Sequence, residues 1–429
     1  MKLSAIVHSR VALTFGVAFV LFVLLLQAQH PLWATHLSSD IGVFAQRVGT
    51  FLSAGSWAGL HGNEYQPGAL FFFLVPYLLT ASGMSYLSAF FLINAVLLVL
   101  HVVILRRLGG ATVAWLGLLL FLAAGPISVF RFELLVSLLV LLAFVAWSRE
   151  RSRTAGILLG LATMVKVYPL VLLPLFLRAS KPTRGNGTFL RVLMGFGLGV
   201  VIVLAAFSLT GGSTGALIDS LTYHARKPVS VFSVLGGVAL IADTLRGALP
   251  NAVNTYGIHG LLLGRPVGLL TTVGLLVSLV LLAVMRPRVA ALEERRAPWM
   301  ILLILGVLTS LVVWPTGFQP QYLLWPLAFT ALLPVVGLPW SRVVRLVGAH
   351  AVALISIQFL YPVKFSEFLS LLYHGTTAPH LLVALAIFLG ALMFLYVELW
   401  WEIFKRQRLA VPRTSDVREY SVSSPLSRE

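Results

Sequence analysis

One alternation constrains this chain more than anything else in it. Apolar runs long enough to cross a membrane follow one another from near Lys2 to Lys405, and short basic clusters separate them. A helix needs about 20 apolar residues to cross a hydrocarbon core ~30 Å thick. Such runs in series predict an all-α polytopic integral membrane protein, with about ten full spans plus short re-entrant or broken helices. Composition agrees, at 59% hydrophobic and 10% charged over 429 residues. A net charge of +17 would suggest nucleic acid in a soluble protein. Here the Lys and Arg residues lie between apolar runs, as the positive-inside rule expects, so no nucleic-acid partner is implied. The absence of cysteine excludes disulfides and thiolate metal sites. There is no Walker loop, no His-Glu-x-x-His and no Gly-rich dinucleotide turn. No metal or cofactor is therefore expected.

The basic clusters set a topology. Lys2 and Arg10 place the N-terminus in the cytoplasm, and residues 11–28 form the first span. Residues 30–66 are then an external loop, and 67–82 a short, Pro-interrupted segment that dips in from outside. Spans follow at 84–105, 111–127 and 133–148. The next apolar run, 155–177, has basic residues on both sides and Lys166 and Pro169 at its centre. Each half is about 11 residues, or ~16 Å of helix, which reaches half-way across. It reads as a broken hairpin with Lys166 at its tip, facing a polar cavity, because a lysine at membrane depth is otherwise costly. After a span at 190–208 comes a second external stretch, 210–265. Spans near 266–285, 298–315, 322–339, 343–362 and 379–404 complete one membrane domain, 1–404. Residues 405–429 form a polar cytoplasmic tail, expected to be disordered.

The external polar material holds the chemistry. In the first loop, Ser38-Ser39-Asp40 precedes apolar residues at Ile41, Phe44, Val48, Phe51 and Leu52, with Gln46, Arg47 and Thr50 opposite. That spacing predicts an amphipathic helix starting at the serine pair, with Asp40 at its positive end. Asp40 could be a general base beside the bilayer or merely a cap. The loop also carries His36, His61, Glu64 and Tyr65. Further polar groups sit at Arg131-Phe132-Glu133, at Tyr223 to Pro228, and at Phe318 to Tyr322. Nucleotide-activated donors are not normally available outside the cytoplasm, so an activated donor there would be lipid-borne.

Taken in order, these segments resemble the polyprenyl-phosphate-mannose-dependent mannosyltransferases of glycosyltransferase family 87, within the GT-C fold. The matching features are Asp40, then Tyr65-Gln66-Pro67, then the stretch from Ala155-Gly156 through Gly160, Lys166, Tyr168 and Pro169 to Pro174. The segment from Tyr223 to Ser233 and the late Pro320-Gln321-Tyr322-Leu323-Leu324 continue the likeness. The chain departs from the pattern at Phe232, where a Glu is expected, and at Arg131-Phe132-Glu133, where Gly-Gln is common.

The resemblance implies a membrane glycosyltransferase of the plasma membrane and cell envelope, acting on the extracytoplasmic face with both termini cytoplasmic. It would move a sugar, mannose by likeness, from a polyprenyl phosphate to a hydroxyl of a lipid-linked or glycan acceptor, with inversion. Asp40 holds the catalytic position, with Glu64 and Glu133 in reserve. His224, Arg226, Lys227 and Lys166 would steady the donor phosphate. Tyr65, Glu64, Arg131, Glu133, Tyr168, Gln319, Gln321 and Tyr322 would line the substrate site. The partners would be membrane lipids, the lipid-linked sugar and the glycan acceptor. A transporter or flippase is the alternative, since broken helices and an intramembrane lysine mark those proteins too. Against it, both broken segments lie in the N-terminal half rather than in corresponding positions of two halves.

Overall fold

Runs of Leu, Val, Ala and Phe become helices here, and Pro and Gly decide where they stop. The computed structural model describes residues 3–59, 64–179, 186–223, 229–247, 251–252, 257–259, 265–284, 296–375 and 378–409. α1 (Leu3–Gln29) leads almost directly into α2 (Pro31–Ala54). α2 begins earlier than the serine pair suggests, at a proline that suits a first helical turn because no N–H is needed there. Asp40 therefore lies well inside the helix and is not its cap. α3 (Pro67–Thr80) spans only ~21 Å, too short to cross on its own. α4 (Tyr86–Ala124) is broken at Gly110, whose φ of +76° is a conformation that favours glycine, and its halves match the spans expected at 84–105 and 111–127.

Among the described residues, five helical stretches are long and apolar enough to cross a membrane: Val11–Gln29, Tyr86–Ser128, Gly187–Leu209, Trp340–Val363 and Pro379–Gln407. Shorter apolar helices fill the bundle between them. The protein is thus an all-α polytopic membrane protein. One small addition lies in the 210–265 stretch. There α9 (Thr214–Thr222) and α10 (Val234–Leu245) accompany a three-stranded antiparallel sheet ordered β1 (Val229–Ser230), β3 (Gly257–His259), β2 (Asn251–Ala252). Ser230 ties it to the bundle by donating its N–H to the Thr316 carbonyl at 2.7 Å.

The break expected around Lys166 is present. α5 (Glu133–Ser148) and α6 (Ser152–Val165) form an antiparallel pair, and α6 stops at Lys166, which is extended at φ −155° and ψ 138°. A 3-10 turn from Tyr168 to Leu172 and α7 (Leu173–Ala179) follow, then α8 (Asn186–Leu209). Side chains built on Gly156 and Gly160 would overlap the carbonyl oxygens of Val192 and Phe196, while those on Gly195 and Gly199 would overlap the carbonyls of Arg153 and Ile157. Contacts therefore advance together along both helices, so α6 and α8 run parallel. Two Gly-x-x-x-Gly stripes give this close approach, which suits lipid surroundings where packing rather than water drives association. Parallel neighbours require the segment between them to return to the end where α6 began. The 3-10 turn and α7 together cover about 20 Å, against ~21 Å for α6.

A second expectation changes. Residues 322–339 are not one span: a 3-10 turn at Pro320–Leu323, α13 (Leu324–Ala331) and another 3-10 turn at Leu333–Val336 replace it. Pro320, Pro326 and Pro334 interrupt the ladder. Every residue from Pro320 to Leu333 is buried, so neighbouring helices rather than lipid surround this irregular backbone. α14 (Trp340–Gln358) and α16 (Pro379–Leu409) pack together, with α11 (Arg265–Val284), α12 (Arg296–Val313) and α15 (Phe365–His374) around them. α16 carries the helix past Lys405, where the tail was expected to begin. Its Arg406 donates to Glu402 at 2.6 Å and to the Val336 carbonyl at 3.0 Å. Residues 410–429 lie outside the described residues.

The parallel helices predict accessibility. The chain has no native cysteine, so single cysteines report directly. Thr154→Cys and Gly187→Cys, at exposed starts of α6 and α8, should react with an impermeant maleimide from the same side of sealed vesicles. Ser53→Cys should react from the other side, because Trp57 beside it donates its N–H to Thr210 at the far end of α8. Labelling of Thr154→Cys and Gly187→Cys from opposite sides would refute the returning segment.

Candidate active site

The corner between α4 and α5 organises the site. α4 ends at Gly125, with φ +55°, where any side chain would overlap the Gln358 amide. That amide donates to the Ala123 carbonyl, and Ser128 Oγ donates to the Gly125 carbonyl at 2.6 Å. The fixed corner sets Arg131, Phe132 and Glu133 in a short non-helical stretch and the first turn of α5.

Arg131 and Glu133 serve different neighbours. Arg131 is 2% exposed, and its Nη2 lies 2.8 Å from Asp40 Oδ2 on α2. The same nitrogen donates to the Tyr361 hydroxyl at 2.9 Å, just beyond α14, and Nη1 donates to the Phe130 carbonyl at 3.2 Å. Asp40 keeps 43% of its side chain exposed, so its carboxylate is anchored yet open. Glu133 is fully buried, and Lys166 Nζ donates to its Oε1 at 2.5 Å. Glu133 sits at the start of α5 and Lys166 at the end of α6, so each charge has the sign that its helix end favours.

Lys166 does not face an open polar cavity as expected. Its ammonium lies over the rings of Tyr322, Phe132 and Trp325, with centroids at 4.5, 5.1 and 5.3 Å. Tyr168 stacks on Trp325 at 4.1 Å and Tyr322 on the same indole at 4.2 Å. The ion pair and these ring faces together house a cation that apolar surroundings alone would not. Gln321 and Gln319 bond each other, with Nε2 donating to Oε1 at 2.7 Å.

Above the Asp40 pair, Glu64 accepts hydrogen bonds from the hydroxyls of Tyr65 and Tyr223. Burial, then the Glu64 charge, pushes the Tyr65 phenol well above its ordinary range, and the same causes push Tyr223 up to about 12. Both are therefore protonated donors at neutral pH. Phe44 joins the groups by stacking on Phe73 at 4.2 Å and meeting Tyr65 edge-on at 5.4 Å.

The structure thus gathers Asp40, Glu64, Tyr65, Arg131, Glu133, Lys166, Tyr168 and Tyr322 at one end of the α5–α6 pair. Arg149, Arg151 and Arg153 mark the other end, ~20 Å away. His224, Arg226, Lys227 and His61 lie outside the described residues, as does the His36 side chain. Phe232 lies apart from this cluster, stacked on Phe368 at 5.2 Å. Tyr361 and Trp325 join the cluster without having been singled out as site residues, and Tyr223 joins it from a segment marked only as polar. Nothing near Tyr361 in the sequence signals its bond to Arg131. Among the described residues no group of three or more His, Asp and Glu could hold a metal ion.

The buried pair yields a stability prediction. Removing one partner of a buried ion pair strands the other charge and typically costs about 3–5 kcal/mol. Glu133→Gln and Lys166→Met should each lower the thermal unfolding midpoint in detergent. The double variant Glu133→Met/Lys166→Met, which leaves no charge behind, should recover most of the loss. A double variant at least as unstable as the two single losses combined would show that the residues do not act as a pair.

No curated protein matches the chain. A family model described as glycosyltransferase family 87 matches residues 64–315. The match takes in Glu64, Arg131, Glu133 and Lys166. Asp40 lies before it and Gln321, Tyr322 and Tyr361 after it. With well over half of the chain matched in this way, the protein belongs to glycosyltransferase family 87 and is a membrane glycosyltransferase.

Proposed function

We propose that this enzyme moves a sugar from a polyprenyl phosphate to a hydroxyl of a lipid-linked or glycan acceptor, in one inverting step with Asp40 as general base. The observation that carries the reading is the Asp40–Arg131 pair. One carboxylate is fixed at 2.8 Å by a buried guanidinium while its side chain remains 43% exposed. A base must be both positioned and reachable, and Asp40 meets both conditions. Glu133, one of the two reserve candidates, is fully buried against Lys166 and closed to solvent.

In this reading the acceptor oxygen attacks the anomeric carbon and its proton passes to Asp40. The bond from that carbon to the phosphate oxygen breaks, and polyprenyl phosphate leaves with the electron pair. Because attack and departure occupy opposite faces of the sugar, configuration inverts. Arg131 acts through Asp40, holding the carboxylate with Tyr361 as second anchor. His224, Arg226 and Lys227 stand as phosphate ligands on the sequence pattern. Tyr65, Glu64, Gln319, Gln321 and Tyr322 are proposed to line the sugar and acceptor site. The pair Glu133–Lys166 and the ring of Tyr168 support the floor beneath it. The resemblance favours mannose as the sugar.

Charge supports a choice of side for the site. The site lies at the opposite end of the α5–α6 pair from Arg149, Arg151 and Arg153, so a cytoplasmic basic end puts the site outside. This supports a reading in which the reaction takes place on the extracytoplasmic face of the plasma membrane, with both termini inside. A lipid-borne donor suits such a place.

Asp40→Asn keeps the shape but cannot take a proton. General base catalysis typically contributes 10²–10⁴-fold. With radiolabelled polyprenyl phosphate mannose and native membranes as acceptor, Asp40→Asn should fold, bind donor and transfer slower by about that factor. Arg131→Met should lose transfer with donor binding retained, and Arg131→Lys, which lacks the planar fork, should restore it only in part. Near-normal transfer by Asp40→Asn would remove Asp40 as base.

A further inference from the structure

The cations at the site fall into two kinds. Arg131 is taken by Asp40 at 2.8 Å and Tyr361 at 2.9 Å. Lys166 is taken by Glu133 at 2.5 Å under a roof of three rings. Each already has its counter-charge, and each is nearly enclosed, with 2% and 13% of its side chain exposed. Neither is placed to neutralise a bound anion.

Arg47 differs. It follows Asp40 by seven residues, which is two helical turns to within about 20° of rotation, so both project from one side of α2. It lies one turn from Phe44, 2% exposed, so it borders the face that packs into the bundle. Arg47 is itself half-buried, and among the described residues no carboxylate pairs with it. Its charge is felt by Tyr223, whose hydroxyl is committed to Glu64. From Tyr223 the chain runs on into His224, Arg226 and Lys227. A half-buried guanidinium without a carboxylate, on the rim of a site that has neutralised its other described cations, wants an anion.

We infer that Arg47 binds the phosphate of the lipid-linked sugar donor. The inference rests on the reading of that donor as a polyprenyl phosphate. α2 then carries both poles of the reaction, the base at Asp40 and the phosphate ligand at Arg47, separated by ~10 Å along the helix. The sugar ring lies between them. An in-line displacement requires this order, with the incoming hydroxyl on one side of the anomeric carbon and the departing phosphate on the other. A forked guanidinium can take two phosphate oxygens at once and stays charged throughout.

The test is equilibrium binding to the full-length protein in detergent, with a short polyprenyl phosphate and the matching uncharged polyprenol as probes. The wild type should prefer the phosphate. Arg47→Gln should lose about tenfold to a hundredfold in affinity for the phosphate, as expected for one charge-assisted contact, and keep its affinity for the polyprenol. Arg47→Lys should fall between. Equal loss for both probes would mean that Arg47 only shapes the groove, and the inference fails. If the wild type prefers the phosphate and Arg47→Gln binds it as tightly, the inference fails while the donor reading stands. A wild type that does not distinguish the two probes overturns both.

Discussion

Two buried cations, one just before α5 and one at the end of α6, are tolerated here because each meets a carboxylate within hydrogen-bond distance. Arg131 meets Asp40, and Lys166 meets Glu133. The tripeptide Arg131-Phe132-Glu133 supplies one member of each pair. Its positive residue reaches α2 and the turn after α14, and its negative residue reaches the end of α6. Phe132 between them offers its ring to Lys166 and its edge to Phe44. Removing Glu133 or Lys166 would strand its partner in apolar surroundings, at several kcal/mol, and removing Asp40 would leave the buried Arg131 without its carboxylate. The arrangement therefore fixes which helices meet at this end of the bundle.

The rest of the fold brings those charges to one level. α5 and α6 have nearly equal lengths, so their outer ends coincide. Glycine stripes let α6 and α8 lie against each other in parallel, and the broken segment between them carries the chain back. α2 fits over the corner through Phe44, which touches Phe73, Phe90, Tyr65 and Phe132 at once. A rigid floor of paired charges and rings thus supports a half-open carboxylate. Such a division of labour suits a site where one group must be accessible and its supports must not move.

Much of this was legible in the sequence. Span-length apolar runs and basic clusters gave the class, and Lys166-Val167-Tyr168-Pro169 gave the broken helix. The order of the motifs pointed to the family later matched. Three things were not legible. Helix α2 starts at Pro31, and the serine pair misled because burial of the helix's apolar face outweighs the modest cost of Ser and Asp in its interior. The stretch after Pro320 looks apolar enough to cross, yet its three prolines break it, and only burial by neighbours makes that acceptable. The pairings of Asp40 with Arg131 and Glu133 with Lys166 join residues far apart in the chain, and no local pattern encodes them. The same glycines that matched a family motif also set helix packing, a meaning that only the parallel neighbour reveals.

The most direct measurement is a structure of the protein with a non-transferable polyprenyl phosphate sugar analogue. The account predicts the anomeric carbon facing the open side of the Asp40 carboxylate, with Arg131 still holding the other oxygen. It predicts Glu133 and Lys166 paired and untouched beneath. A sugar bound with its anomeric carbon remote from Asp40, or an analogue phosphate seated on Lys166 with Glu133 displaced, would contradict it.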